Sequence, residues 1–66
     1  SVANLTELKD TAHRLKGVFA MLEFHYLHKL CEDLEHYIAD ENGFEIKNCI
    51  RELDVSVKRL MPEGNQ

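Results

Sequence analysis

The 66-residue sequence has too few cysteines, too little positive charge and apolar runs too short for several classes of protein. Two cysteines do not make a secreted disulfide scaffold; with no signal-peptide pattern at the N-terminus, both are expected as small core residues in a reducing cytoplasm. Eight Lys and Arg against twelve Asp and Glu give a net charge of −4. That balance argues against nucleic acid as the main ligand, since a phosphate backbone calls for a basic surface. No run is long and apolar enough to span a bilayer, so a soluble chain without direct membrane insertion is expected. A Gly-rich phosphate loop is missing and there is no room for an ATP-binding domain, so any phosphoryl group has to arrive from a partner. Nothing reads as a Ser-His-Asp or Cys-His catalytic arrangement, because no carboxylate can be picked out to orient a histidine. With no internal repeat or low-complexity segment, residues 1–66 read as one small domain.

What is present is helical periodicity. At about 100° per residue, Leu5, Leu8, Ala12, Leu15, Phe19 and Leu22 fall on one stripe of a helix over residues 4–24, with Asn4 as its cap and Glu7 in its first turn. A shift of stripe phase at Phe24-His25-Tyr26 marks a break. Leu27, Leu30, Cys31, Leu34, Tyr37 and Ile38 then share a face over 26–39. Asp40-Glu41-Asn42-Gly43 is a turn signal. Ile46, Cys49, Ile50, Leu53, Val57 and Leu60 make the apolar face of a helix over 44–61, which Pro62 and Gly64 end, leaving 62–66 as a frayed tail. Three amphipathic helices joined by short turns predict an all-α, antiparallel helical bundle.

His13 stands apart from the first stripe. Its neighbours at three and four residues are Lys9, Asp10, Lys16 and Gly17, so it is expected in solvent with little bulk around it. Gly17 carries the sharpest information, because glycine inside a helix costs about 1 kcal/mol relative to alanine and gives no packing in return. A bare backbone there would let another protein's surface come close to the imidazole. At neutral pH an ordinary histidine has a free lone pair for nucleophilic attack. Lys16 has the charge and reach to stabilise a phosphoryl group carried by the ring.

His13-Arg14-Leu15-Lys16-Gly17, followed by Leu27, Cys31 and Leu34-Glu35, resembles the signature of histidine phosphotransfer (HPt) domains. The likeness extends from Leu5 to about Leu60. It implies that His13 is the phosphorylated nucleophile, Lys16 a stabiliser of the phosphoryl group and Gly17 the residue that keeps the approach open. It further implies relay between aspartates of receiver domains: those of a hybrid sensor kinase and of a response regulator. The receiver would supply the Mg2+ ion, and this chain would have no cofactor and no ATP-dependent kinase activity of its own. The continuation Val18-Phe19-Ala20-Met21-Leu22 is similar to an HPt domain on the cytoplasmic side of a larger inner-membrane protein. One departure stands out: Glu23 occupies the position, ten residues after the histidine, where the family usually has glycine. Family members also usually have a further helix ahead of the histidine helix, so three helices are expected to leave apolar surface uncovered, to be filled by an adjoining segment or a partner chain, or else to leave stability marginal. These departures keep open an alternative, a degenerate HPt-like module that binds receivers or self-associates without carrying phosphate.

Other residues give weaker signals. Lys9, Ala20 and Phe24, with Val2, fall on roughly the same side of the first helix as His13 and suit a transient docking surface; helix-end packing is the plain reading of Phe24 and Val2. His25, His28, Cys31 and His36 lie within a short span, yet their phases do not converge and no metal site is expected. Glu7, Asp33 and Glu35 read as solvated charge, with Lys47, Arg51 and Lys58 as counterparts on the third helix.

Overall fold

The computed structural model describes residues 2–60, with side chains from Asn4 onward. Three helices follow one another: α1 (Val2–Met21), α2 (His25–Ala39) and α3 (Gly43–Leu60). The α2 helix is the central element and packs on both others, whereas the α1 and α3 backbones nowhere come close. The apolar stripes of α1 and α3 each meet α2 from their own side, which is the helical-bundle architecture that the three periodicities predict.

The core follows the phases of the sequence. Ala12 from α1, Leu34 and Ile38 from α2, and Ile46 and Cys49 from α3 form one buried cluster, flanked by Leu5, Leu8, Leu30, Tyr37 and Leu53. Phe19, Leu27 and Cys31 form a second, packed against Leu30, Leu53 and Val57. Cys31 has no exposed surface, and both thiols are free. Burial pushes the Cys31 thiol up to about 11, and the Cys49 thiol also rises; Cys49 Sγ donates to the Leu30 carbonyl at 3.1 Å. Across the α2–α3 seam the Tyr26 hydroxyl donates to Glu52 at 2.8 Å.

The helix boundaries differ from the expected ones at informative places. Asn4 is not a cap, because α1 already includes Val2 and Ala3, and alanine is the best helix former. At its other end α1 stops at Met21 rather than Phe24. Glu23 sits in the left-handed region (φ 61°), its N–H donates to the Ala20 carbonyl (3.1 Å), and Phe24 N–H donates to the Phe19 carbonyl (2.9 Å). This pair of bonds is the Schellman ending, which satisfies carbonyls that a terminating helix leaves orphaned. This left-handed position is one that favours glycine, and Glu23 adopts it without being glycine. Glu41 (φ 54°) closes α2 in the same way: its N–H donates to the Ile38 carbonyl and Asn42 N–H to the Tyr37 carbonyl, both at 3.0 Å. Asn42 Oδ1 then caps α3 by accepting from Glu45 N–H at 3.1 Å. Met61 and the expected tail lie outside the described residues.

Leu15, Leu22, Ile50 and Leu60 belong to the expected stripes but are exposed. Leu15, Phe19 and Phe24 face Leu53, Val57 and Leu60 across an open apolar groove between α1 and α3. That groove is the uncovered surface expected of three stripes that do not close on one another. Two of the charges read as solvated make ion pairs within their own helices: Asp33 with Lys29 in α2 (3.2 Å) and Lys58 with Asp54 in α3 (3.1 Å).

Candidate functional site

His13 lies midway along α1, on the side where α1 meets α2, and its side chain is 72% exposed. Lys16, one turn later, points back toward the seam and is only 25% exposed. Between them stands Glu35 of α2. Its Oε2 lies 2.9 Å from His13 Nδ1 and its Oε1 2.7 Å from Lys16 Nζ. One carboxylate therefore ties both His13 and Lys16 of α1 to α2. Glu35 is 16% exposed, so it is not the solvated surface charge expected from its phase. Nor is the site without an orienting carboxylate: that group comes from another helix, at a separation of 22 residues that helix periodicity does not connect.

The electrostatics follow from these contacts. The hydrogen bond from Lys16 holds the Glu35 carboxyl below its ordinary value, with the His13 bond acting in the same direction and desolvation opposing both. Lys16 is raised, chiefly by the same bond to Glu35. Both shifts describe a charged pair in a partly shielded seam. A carboxylate only accepts hydrogen bonds, so the neutral imidazole that faces it carries its proton on Nδ1 and leaves Nε2 with the lone pair.

Gly17 has open space where a side chain would start: a Cβ built on it meets nothing within 4 Å. The glycine is therefore not explained by close helix packing. Lys9 and Ala20 are exposed on α1. Phe24 is placed differently from its expected helical phase. It follows the left-handed residue, stacks at a tilt on Phe19 with ring centroids 6.3 Å apart, and lines the α1–α3 groove. The side chain of Val2 lies outside the described residues. His25 and His36 are exposed and His28 is partly buried; among the described residues no group of three or more His, Cys, Asp or Glu side chains is placed to hold a metal ion.

An exposed histidine in mid-helix, a lysine and a glycine one turn on, and a carboxylate of the neighbouring helix bonded to two of them make up the candidate site of this helical bundle. The chain belongs to the Hpt domain family, which it matches over residues 1–60. Over 61 residues it is 43% identical to Phosphotransferase RcsD of Escherichia coli (strain K12), a span of 92% of this chain and 7% of that protein. No solved structure matches the chain. No helix among the described residues is long and apolar enough to cross a membrane.

Proposed function

We propose that this domain carries a phosphoryl group on His13 between aspartates of receiver domains in a phosphorelay. The observation that carries this reading is the exposed His13 beside Lys16, with open space over Gly17 for an incoming active site. Membership of the Hpt family and the likeness to a phosphotransferase support it.

Phosphoryl transfer depends mostly on positioning and on stabilising charge at the moving group. In the forward step the lone pair of His13 Nε2 forms a bond to phosphorus while the bond from phosphorus to the aspartyl oxygen breaks, its electron pair leaving with the aspartate. No proton changes place, and the reverse step loads the next receiver. Lys16 stabilises the phosphoryl oxygens. On this reading magnesium belongs to the receiver and supplies charge neutralisation there. Lys9 and Ala20, beside His13 on α1, form the receiver-docking surface, with Phe24 at its edge. The upstream receiver is that of a hybrid sensor kinase, the downstream one that of a response regulator, and the domain works on the cytoplasmic side of a larger inner-membrane protein.

The degenerate alternative rests on Glu23 and on the absent preceding helix; α1 ends in a regular Schellman turn with Glu23 in the left-handed region, so the first of these does not disturb the histidine helix. The test is incubation with a phosphorylated receiver domain and magnesium, followed by assay for acid-labile, base-stable phosphate. Wild type takes the label, while His13→Gln takes none and melts within about 0.5 kcal/mol of wild type, as an exposed substitution outside the core should. A labelled His13→Gln variant refutes the assignment.

A further inference from the structure

The wide groove between α1 and α3 opens away from His13, since Leu15 on its α1 wall is about 200° round the helix from the histidine. A smaller pocket shares the histidine's own seam. Leu5, Thr6 and Lys9 of α1 line one side of it; Ile38 and Ala39 of α2, with Glu41 of the turn that follows, line the other. Lys9 stands one turn before His13, and Ala39 one turn after Glu35, whose carboxylate meets the imidazole at 2.9 Å. We propose that this pocket is the receiver's anchor site, which takes one aliphatic side chain of the incoming receiver and sets which receivers are accepted. The inference rests on the phosphocarrier reading above.

At about 1.5 Å of rise per residue, Lys9 lies about 6 Å and Thr6 about 10 Å along α1 from His13, and Ala20 lies about 10 Å in the opposite direction. A transient signalling interface buries about 600 Å² on each partner, a patch about 28 Å across. Centred on the reacting histidine, such a patch covers the pocket on one side and Ala20 on the other. Gly17 and Ala20 give access but almost no side chain to bind, so affinity has to come from elsewhere in the footprint. The pocket supplies it. Ile38, on its wall, is 5% exposed and belongs to the core, and Leu5 packs against the same cluster. Its apolar part is thus held by the core, whereas Thr6, Lys9 and Glu41 are exposed around it. A firm apolar depression with a polar rim has the form of a binding hot spot, where one anchored side chain carries much of the energy while its surroundings exclude water. The rim carries opposite charges on its two walls, Lys9 on α1 and Glu41 after α2. It therefore favours an aliphatic anchor flanked by a carboxylate on the Lys9 side and a base on the Glu41 side, and disfavours the reverse pattern.

The test separates docking from chemistry. Backbone-amide NMR of the wild-type domain, titrated with the unphosphorylated receiver domain of a hybrid sensor kinase, is expected to shift Leu5, Lys9, Ala39 and Glu41 together with His13. Ala39→Leu fills the pocket from an exposed position. It should raise the receiver concentration for half-maximal transfer about 5- to 30-fold, the range from an ordinary contact to a hot spot. The rate at saturating receiver should stay unchanged, because the groups around His13 are untouched. Ala39→Ser, which leaves the pocket open, should behave as wild type. If Ala39→Leu does not fold, Thr6→Leu fills the same space from α1 and is read in the same way. Amide shifts that leave out the pocket, or a filled pocket with an unchanged half-maximal concentration, overturn the anchor site and leave the phosphocarrier reading standing. A receiver that shifts the pocket amides but never labels His13 overturns the phosphocarrier reading and leaves the pocket as a receiver-binding site.

Discussion

At the scale of single residues, Gly17 separates stability from function. A Cβ added there meets nothing within 4 Å, so Gly17→Ala should raise helix stability by up to about 1 kcal/mol. Gly17→Gln should also remain folded. Transfer should nevertheless fall sharply in the glutamine variant, because its side chain enters the space that a receiver must occupy beside His13. Thermal melts and transfer rates on the two variants check this, and a destabilised Gly17→Gln refutes the steric argument. Glu35 gives a prediction in pH. Its carboxyl is held below the ordinary 4.5, so the folded state favours the carboxylate. The resulting stabilisation is complete above 4.5 and disappears as pH falls through the lower folded value. Denaturant melts should show wild type losing more stability on that acid limb than Glu35→Gln does; parallel pH profiles would remove the linkage.

Among the elements, the helices were legible in the sequence because periodicity is a local signal, and the stripes of α1 and α3 both pack on that of α2. The ends were less so. Asn4 looked like a cap and is an ordinary helical residue, since capping preference is weak against two further residues that continue the helix. The break after α1 showed only as a change of phase, because its ending rests on backbone bonds and a positive φ that glutamate does not advertise. His13, Lys16 and Gly17 stand out in a five-residue motif, but the contact of Glu35 with the first two does not, since it depends on how α2 is rotated against α1. The left-handed Glu23 supplies the prediction at this scale. A non-glycine residue there costs about 1–2 kcal/mol, and glycine returns part of that through its freer unfolded chain. Glu23→Gly should therefore stabilise the domain by about 0.5–1 kcal/mol, measured by denaturant melts, with the rate of His13 phosphorylation unchanged.

For the whole molecule, the decisive feature is that α2 is clasped on two sides while α1 and α3 leave an apolar groove between them. A domain of this size with an incompletely closed core has only a few kcal/mol to lose, so where a methyl group sits decides what its removal does. Leu34 is 2% exposed at the centre of the larger cluster; truncation to alanine there should cost about 2–5 kcal/mol, enough to unfold the domain at room temperature. Leu15 is 38% exposed on the groove. Since much of its surface is already in water, Leu15→Ala should cost less than about 1 kcal/mol. Circular dichroism of both variants under the same conditions compares a closed face with an open one. Equal costs would mean that the groove is covered in solution, because an apolar side chain is worth as much as a core residue only when something else has taken the water away from it.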